Sequence, residues 1–256
     1  MPHTRKKIGL ALGGGVARGP AHIGVLSVLE EAHIPIHCVS GTSAGSVIGA
    51  VYCAGLELTQ MRHLARQMTW QQIANPIWPH QGLVSFKRME PWIESYLGPL
   101  NLEDLPVPMA AVATDVYTGD PVILREGRLA TAVRASSSVP GVVEPVEING
   151  RLLCDGGISA NVPVEAARQL GADYVIGVDL FAPEYDERGG PLGVGFSAIE
   201  TLIRNSGGGV KEADCLIVPA IDDHSYLRFA QGDVYIALGE AAARQKLPQI
   251  LADLNL

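Results

Sequence analysis

The feature that most narrows what this chain can fold into is the pentapeptide Gly41-Thr42-Ser43-Ala44-Gly45. It follows a short apolar run, Ile36 to Val39, that reads as a strand. It opens a small-residue segment, Ala44 to Ala54, that reads as a helix. Strand, sharp turn and helix are the context that a nucleophile elbow needs. Ser43 falls at the tip of that turn. Gly41 and Gly45 lack the Cβ atoms that would hold the strand end and the first helical turn apart. A helix start also aims free N–H groups and the positive end of its dipole at one spot, which favours an oxyanion beside Ser43. The pentapeptide alone carries little weight, because a glycine-rich turn with a capping serine looks the same. With 29 Gly and 13 Ser in 256 residues, chance supplies about 0.17 such patterns, so the flanking elements carry the inference.

Those elements recur along the chain. Lys7 to Leu12 reads as a buried first strand, and the loop Gly13 to Gly19 leads into a helix from about Pro20 to Ala32, with Ile23, Leu26 and Leu29 at helical spacing. Strand, helix, strand, helix within 55 residues predicts an α/β fold with a mostly parallel central sheet and helices on both faces. Residues 56–98 break the pattern. They hold all three Trp (Trp70, Trp78, Trp92) with Ile73, Ile77, Leu83, Phe86 and Met89, and no clean period spans them. They read as a helical, apolar, cap-like insertion over one edge of the sheet, either a wall for an apolar substrate or a satellite core. Further strands are expected at Val107–Asp115, Pro121–Arg125, Tyr174–Asp179 and Cys215–Pro219, and helices at Leu129–Ser136, Pro163–Leu170, Phe196–Asn205 and Asp233–Leu251. Asn149-Gly150 between two apolar runs signals a hairpin. Pro183 to Gly195 reads as a polar, mobile loop. With no repeat and no clear linker, the 256 residues are expected to form one domain.

Composition excludes several classes. A net charge of −8 and a pI near 5.3 leave no surplus of Lys and Arg for nucleic-acid phosphates. Cys38, Cys53, Cys154 and Cys215 stand alone in apolar surroundings with no C-x-x-C, so buried free thiols are expected rather than a metal site. Residues 5–17 imitate a secretion signal, with Arg5-Lys6-Lys7, then Ile8 to Leu12, then small residues, but the apolar part is short, Gly13-Gly14-Gly15 interrupts it and Arg18 follows directly. The longest apolar run, Val47 to Leu56, is too short to span a bilayer. The expectation is a cytoplasmic protein, with peripheral contact at the inner membrane face left open.

Three further constellations carry chemistry. The Gly13-Gly14-Gly15 loop fails as a dinucleotide fingerprint, because Arg18 stands where the third glycine belongs, and fails as a P-loop, because Pro20 follows Gly19. It reads better as a nest of consecutive N–H groups near Ser43, able to serve as an oxyanion hole, with Arg18 bracing the loop carbonyls. Next, the serine needs a base. Of seven His, only His224, in a loop after the last strand, stands where a triad histidine would. Asp155 has the stronger position. It ends the apolar run Leu152-Leu153-Cys154, and Gly156-Gly157 leave room around it, so that partial desolvation raises its basicity. The third, Ala135-Ser136-Ser137-Ser138-Val139-Pro140-Gly141, reads as a helix C-terminus with a rigid turn.

Together these residues resemble the patatin-like phospholipase family, in particular its small bacterial and neuropathy-target-esterase types. The resemblance rests on Gly13-Gly14-Gly15-x-x-Arg18-Gly19, His22-x-Gly24-Val25-Leu26, Gly41-Thr42-Ser43-Ala44-Gly45, Ala135-Ser136-Ser137 with Pro140, Asp155-Gly156-Gly157 and Ala213-Asp214. It spans roughly residues 7 to 240. Val16 stands where many members carry a fourth glycine. The resemblance implies a three-layer patatin-like sandwich and a Ser43–Asp155 dyad, with an oxyanion hole from Gly13 to Gly15. It implies metal- and cofactor-free hydrolysis of acyl esters of phospholipids, lysophospholipids or simpler esters. Gly41, Gly45, Arg18, Gly156 and Gly157 are supporting residues in that scheme. The alternatives are a Ser-His-Asp esterase using His224 and a low-turnover lipid- or partner-binding regulator. A nucleotide-binding module ranks last. No oligomeric state follows from the sequence.

Overall fold

A computed structural model of the chain describes residues 6–181, 190–206, 209–221 and 229–256. The first strand shows how its layers arise. β1 (Ile8–Leu12) is buried on both faces. Ile8, Leu10 and Leu12 join one hydrophobic cluster, and Ala11 joins another. A period of two with both faces buried is what a strand covered by helices on each side requires.

The chain continues through α1 (Pro20–Glu31), β2 (Cys38–Thr42), α2 (Ala44–Cys53), α3 (Leu58–Gln67) and α4 (Trp70–Ile73). The short pair β3 (Asn75–Pro76) and β4 (Val84–Ser85) precedes α5 (Met89–Leu97), β5 (Met109–Asp115) and β6 (Pro121–Leu124). Then come α6 (Leu129–Ser136), β7 (Val146–Ile148), β8 (Arg151–Asp155), α7 (Gly157–Ala160), α8 (Val164–Gln169) and β9 (Tyr174–Val178). α9 (Gly190–Asn205), α10 (Gly209–Glu212), β10 (Cys215–Ile217) and α11 (Gly232–Leu254) complete it. Among the described residues the main sheet runs β10-β9-β1-β2-β5-β8-β7, with β6 also on β5. The β10, β9, β1, β2 and β5 neighbours are all parallel, and β6, β7 and β8 pair antiparallel.

The two faces differ in bulk. On one, residues of α1, α2, α6 and α11 share a cluster with Leu10, Val39, Ile176 and Met109. On the other, α8 packs through Val164 and Ala167 on Ala11, Cys38 and Val175, and small residues bring it close to the sheet. The expected α/β sandwich is therefore present. So is the hairpin, whose Asn149 and Gly150 both take positive φ, 51° and 74°, as a two-residue turn of right-twisted strands requires.

Two expectations need correcting. Residues 56–98 do not lie over a sheet edge. Met61 and Leu64 of α3, Ile73 of α4 and Met89 and Ile93 of α5 join the same cluster as α1, α2 and α6, so this segment stacks on the outside of that helical layer. Apolar residues without a strand period here cover helices, not the sheet. Helix α9 begins at Gly190, inside the stretch read as a loop; residues 183–189 of that stretch lie outside the described residues. The four cysteines are free and buried.

Candidate active site

Ser43 sits between β2 and α2 with φ 52° and ψ −122°, a conformation that costs a non-glycine residue about 1–3 kcal/mol. The surrounding backbone imposes it. A Cβ on Gly45 would lie 2.1 Å from the Leu12 carbonyl oxygen, and one on Gly41 would lie 2.5 Å from that of Gly45. Only glycines let the strand end and helix start approach so closely. The Ser43 N–H donates to Ser136 Oγ at 2.9 Å, and that hydroxyl donates to the Val112 carbonyl at 2.6 Å. The elbow is thus pinned from α6 as well as from its own glycines.

Asp155 reaches Ser43 through strand register. Ala111 and Val112 of β5 pair with both β2 and β6, and Ala113 and Thr114 pair with both β6 and β8. A strand has one neighbour on each side, so β2 and β8 lie along the same side of β5 and run toward each other. Thr42 ends β2 opposite Val112, and Asp155 ends β8 opposite Ala113. The two strands meet head to head, and the residue following Thr42 is Ser43. Its hydroxyl hydrogen-bonds the Asp155 carboxylate, which also accepts the Gly157 N–H at 2.8 Å. The Asp155 N–H donates to the Ser138 carbonyl at 2.8 Å. Burial pushes the Asp155 carboxyl up to about 6, against the pull of the Ser43 and Gly157 hydrogen bonds. It is still ionised at pH 7 and more basic than an exposed carboxylate.

The Gly13–Gly15 loop is near the site but is not an open nest. Gly14 comes close to Ser43, since a Cβ there would lie 3.4 Å from the serine Cβ. The Gly13 N–H donates to the Val178 carbonyl at 2.9 Å, and the Gly14 N–H to Asn161 Oδ1 at 3.1 Å. Two of the three amides expected to face an oxyanion are therefore already bonded, because β9 and Asn161 pack directly against the loop. The Gly15 N–H and the Ala44 N–H at the start of α2 have no hydrogen-bond acceptor among the described residues. Arg18 is fully buried; its backbone N–H donates to the Gly15 carbonyl at 2.9 Å, and its Nη1 to the Leu180 carbonyl at 3.4 Å.

Two cavities meet at Ser43. The larger, about 360 Å³, is lined almost wholly by apolar side chains, among them Val47 and Ile48 of α2, Trp70, Phe86 and Met89 of the 56–98 segment, and Val139. Trp78 points away and is 89% exposed. The smaller, about 30 Å³, is bounded by Ser43, Asp155, Gly14, Gly15, Asn161 and α9 residues such as Ile203, and that volume admits about one water.

Ser43 and Asp155 are thus together, as are Gly41, Gly45, Gly156 and Gly157 around them. His224 lies outside the described residues. Ser136 and His22 stand out in the sequence only as parts of motifs with no individual role at the site, Asn161 carries no signal and α9 reads only as a helix; the fold brings all four to the elbow. Among the described residues no group of three or more His, Cys, Asp or Glu side chains could hold a metal ion, and no helix is long and apolar enough to cross a membrane.

The fold and site define an α/β protein with a strained serine elbow beside a buried carboxylate. Comparison with known proteins gives the family. The profile described as Patatin-like phospholipase matches residues 10–168. An NTE family protein of Mycobacterium tuberculosis is 39% identical over 181 residues, covering 70% of this chain and 50% of that protein. Patatin-like phospholipase domain-containing protein 6 of Homo sapiens is 35% identical over 185 residues, 69% of this chain and 14% of that protein. The chain therefore spans half the length, or much less, of these relatives. Among solved structures, VipD from Legionella pneumophila superposes with a TM-score of 0.60 at 15% identity, over 96% of this chain and 67% of that one. ExoU of Pseudomonas aeruginosa, solved with SpcU, gives 0.56 at 14% identity, over 98% and 53%. The chain belongs to the patatin-like phospholipase family.

Proposed function

We propose that this chain is a serine hydrolase of acyl esters, with Ser43 as nucleophile and Asp155 as general base. The observation that carries the reading is that Ser43 and Asp155 stand together at the junction of an apolar cavity and a water-sized one. The acyl chain lies in the large cavity, and its carbonyl carbon faces Ser43 Oγ. Asp155 takes the hydroxyl proton as the Oγ–C bond forms. The carbonyl oxygen becomes an oxyanion, held by the Gly15 and Ala44 amides and the positive end of α2. Collapse breaks the ester C–O bond, and the leaving alcohol takes the proton from Asp155. Water in the small cavity then gives a proton to Asp155 and attacks the acyl-enzyme, and the proton returns to Ser43. A base of this kind contributes about 10²–10⁴ in rate.

The chain acts as one hydrolase domain without metal or cofactor, and residues 56–98 form the cap-like wall of its acyl cavity. Phospholipids, lysophospholipids and simpler carboxylic esters fit an apolar cavity of this kind. A cytoplasmic enzyme that meets its lipid peripherally completes the proposal, in keeping with the lipid substrate that the family's description names. A fluorophosphonate probe will label Ser43, and Ser43→Ala will abolish labelling and turnover across a panel from short nitrophenyl esters to phospholipid vesicles. Labelling at another residue, or turnover that survives Ser43→Ala or is lost in His224→Ala, overturns the assignment.

A further inference from the structure

One peptide group in the glycine loop is held at both ends by side chains. The Gly13 carbonyl accepts from His22 Nε2 at 2.8 Å. The N–H of the same peptide, on Gly14, donates to Asn161 Oδ1 at 3.1 Å. His22 and Asn161 are both buried, at 0% and 4% exposure, and come from α1 and from the turn after α7, on opposite faces of the sheet. Each partner's chemistry allows one orientation. Burial lowers the His22 imidazole to about 4, so the ring is neutral at pH 7. The carbonyl beside Nε2 then fixes the proton there and leaves Nδ1 bare, and Nδ1 is a buried nitrogen without a partner. Leaving a buried ring nitrogen unsatisfied costs free energy, so the contact to Gly13 is bought at some expense. Asn161 is fixed from behind, because its Nδ2 donates to Asp179 Oδ1 at 3.2 Å while Asp179 accepts the Phe181 N–H at 3.0 Å. Only the amide orientation with Oδ1 toward Gly14 satisfies both neighbours.

We propose that His22 and Asn161 are positioning residues that clamp the Gly13–Gly14 peptide plane, so that the next amide, that of Gly15, faces the developing oxyanion. Preorganised donors stabilise a transition state because they need not reorient when the charge forms. Loose glycines would otherwise sample both flips of this plane. The inference rests on the Ser43 acyl-enzyme reading and adds two residues that touch no reacting atom.

Because both side chains hold one peptide, releasing either end releases it, so their effects on catalysis must not multiply. The test is a double-mutant cycle on a short nitrophenyl ester with His22→Leu, Asn161→Leu and the pair, alongside His22→Gln, which keeps an N–H for Gly13. Each leucine variant should lower kcat about 10- to 100-fold, less than complete loss of an oxyanion donor, with KM nearly unchanged. The pair should fall no further than the worse single variant, and His22→Gln should retain most activity. Asn161→Ser, too short to reach Gly14, reads the same kcat loss if Asn161→Leu does not fold. Multiplying losses, a defect confined to KM, or His22→Gln as slow as His22→Leu would overturn the clamp while wild-type Ser43 still labels. Absence of Ser43 labelling in the wild type would overturn the dyad and the clamp together.

Discussion

The chain makes the same strand-to-helix turn twice, once from β1 into α1 and once from β2 into α2, and the two are held in different ways. Each contains one non-glycine residue at positive φ, Val16 at 50° and Ser43 at 52°. The β2–α2 turn is fixed largely from within. Gly41 and Gly45 let its own strand, helix and the neighbouring β1 end approach, and their absent side chains dictate where Ser43 points. The β1–α1 turn is fixed mainly by hydrogen bonds to other segments, Val178 of β9 and Asn161 after α7, with His22 of its own helix α1 as a third tether. A nucleophile needs one forced geometry that short-range sterics can supply. A loop of amides needs its peptide planes oriented, and that takes hydrogen bonds from distant segments.

The sharpest break of this contrast is Gly45→Ala. Its Cβ would meet the Leu12 and Gly13 carbonyl oxygens at 2.1 and 2.7 Å, and backbone cannot swing away. The expected loss is about 3 kcal/mol, the upper end of overpacking costs, read from the urea midpoint.

Asp155→Asn should act in the opposite direction. In the folded protein burial raises this carboxyl from 3.8 to about 6, so the native state holds its proton more tightly than the unfolded chain. Its contribution to stability is present below pH 3.8 and is lost as pH rises through 6. At pH 8 the buried charge costs about 2–3 kcal/mol, at roughly 1.4 kcal/mol per pH unit. Asp155→Asn should recover most of that at pH 8 while losing turnover. His22 titrates with the reverse sign, its lowered value making the native state less stable as pH falls from 6.5 toward 4, so pH 8 isolates the Asp155 effect. An Asn variant no more stable than the wild type at pH 8 would mean the carboxylate is well solvated.

The smallest effect is expected at Val16→Gly. A β-branched residue at φ 50° is strained, and glycine removes that strain at some cost in unfolded-state entropy. A net gain of about 1 kcal/mol is expected from chemical denaturation, against none if the outer tethers do not force that backbone.

The same contrast explains what the sequence discloses. Ser43 is legible because its geometry is written in neighbours two residues away, and the order strand, helix, strand, helix in the first 55 residues predicts the sheet. Asp155 is legible as a strand-end carboxylate with glycines after it. That it meets Ser43 depends on β2 and β8 sharing one side of β5, a register that no local pattern encodes. The tethering of Gly13 and Gly14 is hidden for a similar reason, since Asn161 lies 147 residues from Gly14. The 56–98 segment is legible as apolar and helical but not in its place, over a helical layer and not a sheet edge, because its residues follow the contours of other helices instead of a period of their own.

The central claim is that a carboxylate alone activates Ser43. It is tested most directly by the pH dependence of the rate at which a fluorophosphonate labels Ser43, in the wild type and in Asp155→Asn. The account predicts a wild-type rate that rises with one ionisation near pH 6 and then levels, and an Asn variant that is slow at every pH. A wild-type rate flat between pH 5 and 8, or an Asn variant that keeps the wild-type profile, would contradict it.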